Sequence, residues 1–242
     1  MKKISVGITG VGSYVPEKVL TNYDLSLMVD TNNEWIVERT GIKERRIADK
    51  NQSASDLAIE AALKALKDSS TKPEEIDLII VATVTPDYFF PSTACVIQSK
   101  IGATKAAAFD MSVGCSGFVY GIATGANFIS SGIYKKVLVI GSEVLSKIVD
   151  WEDRNTCVLF GDGAGAVVLE ECEKGYGILS YELGSDGSNG ESLIVPAGGS
   201  KLPASLETVN DKLHSIQMDG KDVFKFAVRI MEKASLDAVE KS

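Results

Sequence analysis

The run Asp77–Thr83 (DLIIVAT) is apolar at consecutive rather than alternate positions. A strand of that composition has both faces covered, which points to a sheet with helices packed on either side. The neighbouring segments fit that expectation. Ile4–Thr9 reads as a strand ending in a glycine turn, Gly10-Val11-Gly12, and Ala106–Met111, Val137–Gly141 and Gly163–Glu170 read as further strands. Between them lie helical patterns. Ser53-Ala54-Ser55-Asp56 has the form of a capping box, followed by Ile59, Leu63 and Leu66 at helical spacing. Pro91 and Ser92 open a second helix that Gly102 ends. Strands alternating with helices predict an α/β domain.

A third helix, between Met111 and Val137, carries Gly117, Gly121 and Gly125 on one face. Each glycine costs a helix about 1 kcal/mol relative to alanine. Three at this spacing predict a buried helix whose backbone closely approaches its neighbour. A weaker pattern suggests duplication. Val6–Ser13 and Gly177–Ser185 both read as a short strand running into a Gly/Ser turn, so a second half is expected to begin near Gly175. The expected division is an N-terminal half over 1–173 and a partial C-terminal half over 174–242.

Composition narrows the function classes. The 242 residues carry 25 Lys+Arg and 33 Asp+Glu, a net charge of −8. This balance argues against nucleic-acid and anionic-membrane partners, which require a broad basic surface. No apolar stretch reaches the length of a membrane span, and Met1–Val6 lacks the apolar core of a signal peptide. Cys95, Cys115, Cys157 and Cys172 are scattered, without metal-site spacing. Reduced thiols in a cytoplasmic protein, with no metal, are the expectation. The single histidine, His214, limits any chemistry that needs an imidazole.

Cys115 stands at the turn from a strand into the glycine-bearing helix. Helix N-termini favour the thiolate, and their free N–H groups can form an oxyanion hole for acyl transfer. A small buried thiol is the alternative reading. Other motifs fail. Gly7-x-x-Gly10-x-Gly12 is not the dinucleotide fingerprint, the segment around Cys115 lacks the last glycine of a serine-hydrolase elbow, and Gly161–Gly165 reads as a tight turn.

The stretch Phe109-Asp110-Met111-Ser112-Val113-Gly114-Cys115-Ser116-Gly117-Phe118 closely resembles the nucleophile segment of the β-ketoacyl-acyl-carrier-protein synthase III family, the initiating condensing enzymes of bacterial fatty-acid synthesis. Asn33–Ile42, Phe90–Cys95, Phe160–Ala166 and Met218–Phe224 are also similar to that family, in its order. The resemblance implies a thiolase-like fold, stacked α-β-α-β-α layers from two similar halves, the second incomplete here, usually as a homodimer. It implies that Cys115 takes an acetyl or short acyl group from acyl-CoA, which is a substrate, so no cofactor is required. The acyl group is then condensed with malonyl-acyl-carrier protein with loss of CO2. Carried over by position, Trp35 and Arg154 sandwich the adenine, and Thr31 and Arg39 contact the phosphate and adenosine end. Phe90 reaches the partner subunit's acyl pocket, and Met218, Gly220 and Phe224 line the pantetheine tunnel. Read from the residues alone, Trp35 can equally be a core aromatic, and Arg39, Lys43, Arg45 and Arg46 either a solvated basic face or a landing site for CoA phosphates or acidic carrier protein.

The family's condensation step also uses a histidine in an H-Q-A-N-type segment and an asparagine in an N-x-G-N-T-type segment. Neither segment occurs in these residues, and His214 does not match. The expectation is a truncated or split chain that can accept an acyl group but cannot condense it alone. Bare apolar surface in its second half is expected to cause aggregation or partial disorder. Two other readings stay open: another thiolase-fold acyltransferase, or a non-catalytic fragment that binds CoA thioesters.

Overall fold

The computed structural model describes residues 4–242; the charged start at Met1–Lys3, used above in the signal-peptide reading, lies outside them. The elements run β1 (Val6–Tyr14), β2 (Lys18–Thr21), α1 (Asn22–Ser26), α2 (Asn33–Thr40), β3 (Glu44–Ile47), α3 (Ala54–Asp68), β4 (Leu78–Ala82), α4 (Thr93–Ile101) and β5 (Ala107–Met111). Then follow α5 (Gly117–Ser130), β6 (Lys136–Val144), α6 (Arg154–Cys157), β7 (Asp162–Glu171), β8 (Leu193–Ile194), α7 (Leu206–Asn210), β9 (Gln217–Met218) and α8 (Gly220–Glu240). They divide into two compact units, each discontinuous in sequence.

The first unit comprises the segment ending at Lys18, Ala48–Val144 and Asp162–Tyr181. Its five-stranded sheet has the order β1-β7-β6-β4-β5. β4 pairs in parallel with β5 and β6, whereas β7 is antiparallel to both β6 and β1. As the DLIIVAT run requires, every residue of β4 is buried. Ile79 and Val81 pack with α3 and α4, and Leu78 and Ile80 pack with α5. The sheet therefore lies between two helical layers.

Local sequence sets the helix ends. Ser53 N–H donates to Asp56 Oδ2 at 2.8 Å, completing the capping box of α3. Ser92 caps α4, and Gly102 ends it with φ of 80°, a left-handed conformation suited to glycine.

Four local expectations are corrected. β1 runs through Gly10 and Gly12 instead of turning there, with a register shift between Ile8 and Gly10. A Cβ on Gly12 would overlap the Ala61 carbonyl oxygen, and one on Gly10 would overlap that of Ala65, so α3 imposes these glycines by its closeness. The buried face of α3 is made of Ala54, Ala58, Ala61, Ala62 and Ala65 with Leu57 and Leu66, while Leu63 is exposed and Ile59 flanks the core. Gly163 and Gly165 lie in β7, paired with Glu143 and Gly141, so the strand reading over Gly163–Glu170 holds and the tight turn over Gly161–Gly165 does not extend past Gly161. Residues 177–185 form no strand: after Ile178 N–H donates to Val6 O at 2.8 Å, the segment leaves the sheet edge.

The second unit comprises Val19–Ile47, Leu145–Gly161 and Glu182–Ser242. Its core gathers Leu25, Ile36, Val149, Cys157, Val158 and Ile216. β8 and β9 form a two-stranded sheet. α8 buries none of its residues, and Phe224, Met231, Leu236 and Val239 are exposed along it. Among the described residues no helix is long and apolar enough to cross a membrane.

Candidate active site

Cys115 follows the carboxyl end of β5, in a 3-10 turn over Gly114–Ser116 that leads directly into α5. In open α/β sheets, the carboxyl ends of parallel strands are where ligands bind. Gly114 has φ of 56°, which a side-chain-bearing residue adopts only with strain. That kink presents the Cys115 side chain on the surface, so the buried-thiol reading does not describe it. Ser116 makes no side-chain cap, and the first turn of α5 carries no acidic residue. The turn's N–H groups therefore face no competing anion of their own first turn.

The glycine stripe seats this turn. A Cβ on Gly117 would lie 2.8 Å from Ala82 Cβ, one on Gly121 2.7 Å from Val139 Cγ1, and one on Gly125 3.0 Å from Leu169 Cδ1. α5 thus rests on β4, β6 and β7 with its backbone, as the spacing predicts.

Three carboxylates unremarked in the sequence fix the surrounding loops. Glu143 accepts hydrogen bonds from Val84 N–H at 2.8 Å and from the hydroxyls of Thr85 and Thr83 at 2.5 and 3.4 Å. Burial pushes its carboxyl pKa up, and these donors oppose the rise. Asp110 accepts from Thr93 N–H and Ala94 N–H, both at 2.7 Å, tying α4 to β5. Asp87 accepts from Ser55 N–H at 3.0 Å and from the Ser55 hydroxyl at 2.6 Å. For Asp110 and Glu143 the sequence signal is an acidic residue inside an apolar strand; Asp87, in the loop after β4, has no such signal. On this pinned loop Phe89 and Phe90 stand 86% and 87% exposed.

In the second unit, Asn32 caps α2 by accepting from Trp35 N–H at 2.8 Å. Trp35 is half-buried, with the Arg39 and Arg154 guanidinium carbons 4.8 and 4.6 Å from its ring centroid. Arg154 also pairs with Asp30 at 3.4 Å. The indole is thus a stacking platform under two cations. Thr31 Oγ1 is buried without a hydrogen-bond partner. Met218 lies in β9, Gly220 begins α8 and Phe224 is exposed one turn further on. His214 occupies a turn after α7, half-buried, with Nε2 2.9 Å from Thr208 Oγ1. Arg45 departs from the proposed basic face. It is only 6% exposed, because the alternation of β3 turns it inward with Ile47. Among the described residues, no cluster of His, Cys, Asp and Glu has metal-site geometry.

The family model for 3-oxoacyl-[acyl-carrier-protein (ACP)] synthase III matches residues 109–187, which contain the Cys115 turn and the glycine helix. The β-ketoacyl-acyl-carrier-protein synthase III of Caldanaerobacter subterraneus subsp. tengcongensis is 61% identical over 240 residues, 99% of this chain and 72% of that protein. The chain belongs to the β-ketoacyl-acyl-carrier-protein synthase III family. The 3-oxoacyl-acyl-carrier-protein synthase III of Aquifex aeolicus VF5 superposes with a TM-score of 0.87 at 47% identity, covering 98% of this chain and 71% of that one. The synthase III of Thermus thermophilus does so with a TM-score of 0.89 at 45% identity, covering 97% and 72%. The thiolase-like α/β reading of the fold stands, and the chain is an enzyme of this acyltransferase family. The expectation of a truncated or split synthase III chain is not borne out by these alignments.

Proposed function

We propose that this protein initiates fatty-acid synthesis by loading an acetyl or short acyl group from acyl-CoA onto Cys115 and condensing it with malonyl-acyl-carrier protein. The observation that carries the proposal is the exposed Cys115 at the open entry of a helix seated on the sheet by three glycines. In loading, the Cys115 thiolate attacks the thioester carbonyl. The tetrahedral oxyanion is stabilised by backbone N–H groups of the turn, and CoA leaves as its thiolate, which takes up a proton. Condensation releases CO2 and requires fixed donors for the enolate. The histidine and asparagine segments that supply them in the family do not occur in these residues.

The paired cations on Trp35 support a subsite for the nucleotide end of CoA, in which the Arg154 side chain moves off the indole it now covers to admit the adenine between them, with Thr31 and Arg39 toward the phosphates. Met218, Gly220 and Phe224 are assigned to the pantetheine arm. A homodimer, with Phe90 entering the partner's acyl pocket, is favoured by the exposed aromatics on a pinned loop and by β5, which ends the strand order of the sheet. The halves 1–173 and 174–242, continuous in sequence and distinct from the two compact units, belong to the same proposal. So do the absence of a cofactor, the cytoplasmic setting that suits four free thiols, and the lack of nucleic-acid or membrane partners for an acidic chain.

Intact mass after incubation with acetyl-CoA tests the reading. The expected result is one added acetyl, lost in Cys115→Ala. No adduct despite CoA binding would instead indicate a non-catalytic thioester-binding protein. An adduct transferred to an acceptor other than malonyl-acyl-carrier protein would indicate a different thiolase-fold acyltransferase.

A further inference from the structure

Arg45 is a buried cation held by neutral acceptors. Its Nη1 donates to Leu20 O at 3.2 Å and to Asn22 Oδ1 at 3.0 Å, and its Nη2 donates to Val158 O at 2.9 Å. Nε is buried without a partner, and burial lowers the pKa of the group from its ordinary value. A guanidinium stays protonated and is costly to desolvate, so an apolar residue of similar volume would suit a purely stabilising role at least as well. The acceptors give the position its meaning. Val158 is the C-cap of α6, the helix that carries Arg154, and the last carbonyls of a helix have no donor within it. Asn22 in turn donates to Asn33 Oδ1 at 3.1 Å and to Ile42 O at 2.7 Å. Asn33 begins α2, the helix that carries Trp35 and Arg39. One planar fork therefore ties together the two elements whose side chains meet in the Trp35–Arg154 stack, 4.6 Å apart.

We propose that Arg45 is a positioning residue for the nucleotide end of acyl-CoA, setting the spacing between α2 and α6 and hence the width of the Trp35–Arg154 clamp. This rests on the nucleotide reading of Trp35 given above. Lysine cannot replace arginine here, because a single ammonium on a flexible stem cannot span both acceptor sets as a rigid fork does.

The test is calorimetric binding of adenosine 3′,5′-bisphosphate, the nucleotide end of CoA, which requires no acyl transfer. Arg45→Lys is expected to weaken binding by about tenfold, the loss of roughly one hydrogen bond to a charged group. Trp35→Ala is expected to weaken it as well. Arg45→Lys added to Trp35→Ala should cause no further loss, since the clamp it positions is already gone. Should Arg45→Lys not fold, Asn22→Ser cuts the link to α2 while leaving the Val158 bond, and it should couple to Trp35→Ala in the same way. Wild-type binding by Arg45→Lys, or losses that add in the double variant, would overturn the role of Arg45. If Trp35→Ala binds as tightly as wild type, the nucleotide reading itself falls, and Arg45 falls with it.

Discussion

The two faces of the central sheet meet their helices through small residues, but the small residues sit on opposite partners. On one face α3 brings a row of alanines, and the strand β1 supplies the glycines, Gly10 and Gly12. On the other face α5 brings the glycines, and the strands supply Ala82, Val139, Val137 and Leu169. An added methyl therefore meets different matter. At Gly12 it runs into the Ala61 carbonyl oxygen and Lys64 Cβ, and at Gly10 into Ser69 N at 2.7 Å, all fixed by the helix backbone. At Gly125 it meets the ends of side chains. The α3 face is locked backbone to backbone. The α5 face is graded in the stiffness of what it meets: Gly117, beside Cys115, faces the fixed Ala82 Cβ at 2.8 Å, Gly121 a β-branched valine methyl at 2.7 Å, and Gly125 side-chain ends at 3.0 Å.

The largest effect should come from breaking the locked face. Gly12→Ala is expected to destabilise the protein by about 3 kcal/mol, lowering Tm by about 10 °C, because neither partner backbone can move without disturbing the whole helix. Ala61→Gly should fail to rescue it, since the obstructing atom is the backbone oxygen rather than the alanine methyl. Urea titration of the two variants checks this; a Gly12→Ala protein within about 1 kcal/mol of wild type would show that α3 is not locked.

The tight end of the graded face should respond differently. Gly117→Ala is expected to cost about 1–2 kcal/mol and to slow acetylation of Cys115 by about tenfold or more, since the methyl lifts the helix entry that seats the nucleophile turn. Here rescue should succeed. The obstructing atom is Ala82 Cβ, 2.8 Å away, so Ala82→Gly in the same chain removes it. Time-resolved intact mass of the single and double variants measures the recovery. Failure of the double variant to regain rate would place the defect elsewhere than in the Gly117–Ala82 contact.

This contrast also explains what could be read from the residues alone. The covered strand at Leu78–Ala82, the Ser53–Asp56 box, the Ser92 to Gly102 helix and the glycine face of α5 are all signals within one segment, and they fold as expected. Cys115 was legible because a cysteine between a strand and a glycine-bearing helix is a local pattern too. Gly10 and Gly12 suggest a turn only when read locally, because the cause of those glycines is another segment, α3, arriving at the strand. Arg45 groups with its charged neighbours by composition, and only the alternation of Glu44, Arg45, Arg46 and Ile47 turns it inward. The approach of Arg154 to Trp35 had no local trace. It depends on α2 and α6 joining one unit from distant parts of the chain.

The smallest effect sharpens the gradient along α5. Replacing Gly125 by alanine gains helix propensity of about 1 kcal/mol, by restricting the unfolded chain and shielding the helix backbone. Against this, the new methyl would lie 3.0 Å from both Leu169 Cδ1 and Val137 Cγ1, a few tenths of an ångström too close. Leu169 can yield by a small torsion of its flexible end, whereas the β-branched Val137 is stiff at χ1 and yields less. The two contributions are of similar size and opposite sign, so Gly125→Ala should remain within about 1 kcal/mol of wild type. Its acetylation rate should be unchanged, because the site lies two helical turns beyond the Gly117 seat. If Gly125→Ala instead matched Gly117→Ala in stability and in rate, α5 would be a rigid rod responding as one body, and tightness at the nucleophile end would have no separate meaning. The urea midpoint and the acetylation rate, measured on both variants together, decide between the two.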